Sequence, residues 1–124
     1  MTNSQIDNKS EDLPDIYQLK DMIRGWFVGS FRPTVCETKE FEAAVQYYRA
    51  GDSEPRHLHK IATEITIVVV GEAIMKDIVL KEGDIIVIKP GEATGFFAIK
   101  DTITTVIKFP SVPGDKYILE TESK

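Results

Sequence analysis

The sequence is poor in several things at once. Its 124 residues include one cysteine, one tryptophan and two histidines. With Cys36 alone no disulfide can close within the chain, so a reducing compartment is the simpler expectation, and the residue reads as a small buried hydrophobe. The net charge of −5 comes from acids and bases scattered along the chain. No basic face is available to neutralise a phosphate backbone, which argues against a nucleic-acid partner. The longest strongly apolar stretch, Ile65 to Val70, is broken by Thr66 and stops at Gly71. That is far short of the roughly 20 apolar residues a membrane helix needs. The first fifteen residues are polar and acidic, without the basic and apolar regions of an export signal. They read as a frayed tail (1–15) before one domain (16–124), and the protein is expected to be cytoplasmic.

What the chain does contain is β-structure punctuated by turns. Ile16, Leu19, Met22 and Ile23 form an apolar stripe at helical spacing, predicting a short helix that ends before Gly25. Trp26-Phe27-Val28 lies between Gly25 and Gly29, and Pro33 limits any strand there to an edge or a bulge. From Phe41 the period becomes two, because Phe41, Ala43, Val45 and Tyr47 alternate with Glu42, Ala44, Gln46 and Tyr48. Further strands are predicted at 64–70, 72–75, 78–80, 85–88, 94–99 and 102–109. Gly51-Asp52, Gly71, Lys76-Asp77, Gly83-Asp84, Pro90-Gly91 and Lys100-Asp101 separate them. Many short strands without intervening helices predict an all-β fold, an antiparallel sandwich or small antiparallel barrel with its core at about 41–109. Strand 64–70 is apolar on both faces, so both need cover, and a homodimer is one way to supply it.

Both histidines fall within Gly51-DSEPR-His57-Leu-His59-KIAT-Glu64-ITIVVV-Gly71. Two residues apart on a strand, His57 and His59 project from the same face. If the chain turns through 60–63, Glu64 reaches the same volume. Two imidazoles and one carboxylate suit non-haem Fe(II) and also accept Mn, Ni, Co or Zn. Three ligands leave positions open for substrate, whereas a structural zinc site is closed by four.

This segment resembles the first motif of the cupin superfamily, G-x5-H-x-H-x4-E-x6-G, at every fixed position. Gly83-DIIVI-Lys89-Pro90-Gly91-EA-Thr94-GFF-Ala98 is similar to the second, G-x5-P-x-G-x2-H-x3-N. It departs there, with Lys89 for proline, Thr94 for histidine and Ala98 for asparagine. The resemblance implies a double-stranded β-helix of jelly-roll type with a metal or ligand inside. In metal-dependent cupins the second-motif histidine is usually a fourth ligand, so Thr94 reduces the expectation to three. Tyr47, Thr66, Glu92, Thr94, Phe96 and Lys108 are the further pocket candidates. Glu92 is a possible additional metal ligand and Lys108 a carboxylate binder if it points inward. The resemblance implies a metal-dependent oxygenase, isomerase or lyase acting on a small polar molecule. A non-catalytic module holding a small sugar or carboxylate is the alternative.

Overall fold

The computed structural model describes residues 13–119, so most of the expected N-terminal tail lies outside the described residues. Eleven strands among them build two sheets. The larger is ordered β2 (Cys36–Glu37), β1 (Trp26–Gly29), β3 (Glu42–Tyr48), β10 (Thr102–Phe109), β5 (Thr63–Val70) and β8 (Ile85–Ile88). The smaller is ordered β11 (Tyr117–Ile118), β4 (Ser53–Leu58), β9 (Ala93–Ala98), β6 (Glu72–Met75) and β7 (Ile78–Lys81). All pairings are antiparallel except β1 with β2. The ladders do not run on into one closed barrel.

The expected alternation decides what lies between the sheets. On β5, Glu64, Thr66 and Val68 are buried, while Ile65 and Ile67 are half-buried on the outside. One end of the interior is a dry core of Val68, Ala73, Met75, Leu80, Ile88, Phe96 and Ala98, drawn from both sheets. At the other end the inward positions of β3, β4, β5 and β10 carry polar side chains, Glu42, His57, Glu64 and Lys108 among them. Burying so many polar groups is costly unless each finds a partner, which makes this end the place where the sequence departs from simple core building.

Gly71 closes the tight connection between β5 and β6. Its φ of +104° is left-handed, and a Cβ there would collide with the Asp101 carbonyl and Thr102. Glycine is therefore required on both counts.

Two expectations are corrected. The stripe from Ile16 to Ile23 does not form a two-turn helix, only one 3-10 turn at Leu19–Asp21. Met22 alone is buried, while Ile16 and Ile23 are exposed. So short a helix needs a packed apolar face to survive, and this one has a single anchor. Cys36 is exposed on β2, a two-residue strand at the edge of the larger sheet. The segment around Trp26 is, as expected, a short strand near the sheet edge, irregular where it meets β3.

Candidate metal centre and cavity

His57 lies on β4 and His59 one residue beyond its end; Glu64 is the second residue of β5 in the opposite sheet. All three are buried, and one donor atom from each lies within 4.8 Å of the other two. The rings stand edge to face, with centroids 5.3 Å apart.

The backbone fixes which nitrogen each ring presents. His57 Nδ1 lies 2.9 Å from the Pro55 carbonyl oxygen, and His59 Nδ1 lies 2.7 Å from that of Asp115. A carbonyl can only accept, so each Nδ1 carries a proton and donates it. In the neutral rings Nε2 is then the lone-pair nitrogen, the tautomer a metal-ligating histidine adopts when its other N–H is held. His59 Nε2 is 3.3 Å from Glu64 Oε1. Two acceptors that close repel unless a proton or a metal cation lies between them, and the donor set fits a metal ion on that ground.

The ionisation of these groups suits the same purpose. Burial holds His57 below the ordinary imidazole value and keeps it neutral near pH 7. For Glu64, burial opposes ionisation, but the His59 contact, which counts when a proton lies between the two groups, and the Thr66 hydroxyl outweigh it and leave the carboxyl below its usual range. The Thr66 hydroxyl donates to Glu64 Oε2 at 2.8 Å, leaving Oε1 toward the histidines.

Residues from the far end of the chain hold this geometry. Besides receiving the His59 N–H on its carbonyl, Asp115 places its carboxylate against the backbone N–H groups of Lys60, Ile61 and Ala62 at 2.9–3.3 Å. Those residues are the turn that joins His59 to Glu64. Burial alone would raise the Asp115 pKa, but the three backbone donors bring it below the usual carboxylate value. β11 then pairs with β4 at Leu58 and His57, and Lys60 Nζ sits 4.3 Å over the Tyr117 ring. One tail therefore orients one candidate ligand directly and sets the spacing between two.

The three residues line a cavity of about 240 Å³ between the sheets, room for a small metabolite. Thr66, Phe96 and Lys108 line it as well; Tyr47, Glu92 and Thr94 do not. Tyr47 is on the outer face of β3 and 68% exposed, so parity brings Tyr48 into the cavity in its place. Tyr48 stacks on Phe96 at 4.2 Å, and its hydroxyl lies 2.7 Å from Glu54 Oε2 and 2.8 Å from Gln46 Oε1. Burial first, then the Glu54 charge, pushes its pKa far above the ordinary phenol value. Glu92 accepts the Lys89 N–H at 2.9 Å and pairs with Lys76 at 3.9 Å, away from the histidines.

Thr94 occupies the position implied for a histidine and is the cross-strand partner of His57. Its hydroxyl donates to the Gly95 carbonyl at 2.7 Å and accepts the Lys76 N–H at 3.1 Å. It is satisfied by backbone and offers nothing to the cavity.

No family model matches the chain, and no curated protein sequence does. Solved structures do. An uncharacterized conserved protein with a double-stranded β-helix domain from Klebsiella pneumoniae is 25% identical, with a TM-score of 0.64 over 86% of this chain and 92% of that one. The DMSP lyase DddQ from Ruegeria pomeroyi is 18% identical, with a TM-score of 0.64 over 80% of this chain and 52% of that one. The bacterial pirin YhhW from Escherichia coli, in complex with nickel(II), is 14% identical, with a TM-score of 0.59 over 71% and 39% of the two chains. Structures of this type thus include enzymes and metal binders. With its two facing sheets and these neighbours, the chain has the double-stranded β-helix fold, which is the fold of cupins.

Proposed function

We propose that the chain is a metal-dependent cupin enzyme acting on a small polar metabolite, as an oxygenase, isomerase or lyase. The observation that carries this reading is the pair of histidines locked by backbone carbonyls with Nε2 free beside Glu64. His57, His59 and Glu64 would hold one divalent ion, with Fe(II) suited to the set and Mn, Ni, Co or Zn accepted by it. Such an ion supplies a Lewis acid that polarises a bound oxygen function.

The chain's own residues do the rest. Tyr48, kept protonated by burial and by Glu54, gives the cavity wall a neutral phenol stacked on Phe96. Phe96 and Met75 exclude water from one wall. Because Thr94 makes no contribution, the ligand set stays at three and open to substrate. The same feature is what favours the second reading, a module that retains a small sugar or carboxylate without turnover.

A homodimer belongs to this proposal. The outer face of the larger sheet carries Tyr47, Ile65, Ile67, Ile85, Val87 and Ile103, paired across adjacent strands. Tyr47, Ile85 and Val87 are about half or more exposed, and the outward positions of β5, β8 and β10 hold no charge. An uncharged apolar face best matches a second copy of itself. Solution mass should read as a dimer and fall to a monomer on Ile85→Asp; a monomeric wild type at high micromolar concentration ends the idea.

The metal test is elemental analysis of protein purified without chelator and reconstituted in turn with Fe(II), Mn(II), Ni(II) and Zn(II). One ion per chain is expected for wild type and at least about a 100-fold weaker affinity for His59→Ala. Equal, negligible metal in both rejects the reading. Following a cavity ligand over time then separates turnover from retention.

A further inference from the structure

Lys108 is the cavity residue least explained by metal binding. It lies on β10, directly across from Glu42 on β3 and from Glu64 on β5, so the three side chains form one row on the inner face of the sheet. The lysine side chain is only 15% exposed. Its ammonium has three N–H donors, yet among the described residues it meets one acid, Glu42, at 3.2 Å. Its Nζ also lies 4.9 Å from the Trp26 ring centroid, and the residue lines the cavity.

Glu42 cannot satisfy it further. Its second oxygen already receives the Ser111 hydroxyl at 2.7 Å, and Ser111 Oγ in turn accepts the Ser30 N–H at 2.9 Å. This chain of bonds holds the carboxylate in place and leaves the remaining Lys108 donors for whatever fills the cavity. An unsatisfied hydroxyl lies four residues back on the same face of β10, about 13 Å along the strand. Thr104 Oγ1 is fully buried, lines the cavity, and has no hydrogen-bond partner among the described residues. A buried hydroxyl without a partner is costly and points to a ligand or water not drawn from the protein.

The cavity's own charges are nearly balanced, so a bound divalent ion would set its sign. Four basic and three acidic side chains line the cavity; Lys108 pairs with Glu42 and Arg32 with Glu37, which leaves Arg24 and Lys116 against Glu54 and Glu64. Arg24 and Lys116 are exposed lining residues that can draw an anion inward. A divalent ion at the histidines would make the balance positive and favour an anion.

We infer that Lys108 is the carboxylate-binding residue of the cavity, so the ligand is a small organic acid. One carboxylate sits on Lys108, with Thr104 able to serve a ligand oxygen, and a second oxygen function faces His57, His59 and Glu64. This names the substrate class of the metal site proposed above and rests on that reading for the second contact only. The Lys108 contact stands without the metal.

The test compares oxalate, malonate and succinate with the neutral malonamide by calorimetry, on the full chain both Ni(II)-loaded and metal-free. Wild type is expected to prefer its best dicarboxylate over malonamide by at least about tenfold, the order expected of a hydrogen bond to a charged group. Lys108→Met should lose that preference while keeping the wild-type Ni(II) stoichiometry and absorption spectrum, and Lys108→Arg should restore it. Because Lys108→Met strands a buried Glu42, the double variant Lys108→Met/Glu42→Gln, which removes both charges, is measured beside it. If wild type binds no nickel but the metal-free protein shows a Lys108-dependent acid preference, the metal reading fails and this inference holds. An equal affinity for acid and diamide, or a preference that survives in both lysine-free proteins, overturns it.

Discussion

The segments 51–71 and 83–98 have similar turn glycines and each lead a strand into the interior, yet they do opposite work. The first sends two histidines and a glutamate into the cavity, each with a partner that orients it. The second reaches the same level at Thr94, across from His57, and turns its hydroxyl back to the backbone at Gly95 and Lys76. Strand position alone therefore does not make a ligand. What separates the two is whether a side chain's hydrogen bonds are closed within the protein or leave a lone pair toward the cavity.

Removing the support of the first segment should have the largest effect. Asp115→Ala deletes the acceptor for three backbone N–H groups in the turn between His59 and Glu64. A loss of about 3 kcal/mol in stability is expected in denaturant melts, from hydrogen bonds to a charged group and the unsatisfied donors left behind. Metal affinity should fall by about 10- to 100-fold, as for other residues that orient a ligand. Asp115→Asn, which keeps one oxygen acceptor, should fall between the two proteins in both measurements.

Converting the second segment into a copy of the first sharpens the same contrast. Thr94→His places an imidazole beside His57, and a Ni(II) titration should show roughly tenfold tighter binding from a fourth ligand. Unchanged or weaker binding would mean that the β9 position does not address the metal volume. The smallest effect is expected from Thr94→Val. It should leave metal affinity unaltered and cost about 1 kcal/mol of stability, the value of the lost backbone hydrogen bonds.

The parts legible in the sequence were those that depend on local spacing. The two-residue alternation and the turn pairs gave the strands, and the first motif alone brought His57, His59 and Glu64 into one volume. Parity was legible but not its sign. Residues 47 and 48 are both tyrosines, and only the register of β3 against β10 decides that Tyr48 faces inward. The direction of Lys108 was hidden for the same reason, since its register with Glu42 and Glu64 is a pairing across strands distant in sequence. Asp115 was out of reach altogether. Its role is a contact between residues 53–56 positions apart, and nothing in the local pattern of Val112 to Lys116 distinguishes a clamp from a turn. The helical stripe at 16–23 failed because periodicity reports what a segment could bury, not whether a surface exists to bury it against.

The central proposal is that a divalent ion would be held by two imidazoles, both through Nε2, and one carboxylate. X-ray absorption of the Ni(II)-loaded protein reads this directly from the outer-shell scattering of the imidazole rings. The expected spectrum fits two imidazoles with the remaining ligands oxygen, falling to one on His57→Ala. A spectrum with no imidazole scattering, or one unchanged by His57→Ala, would contradict it.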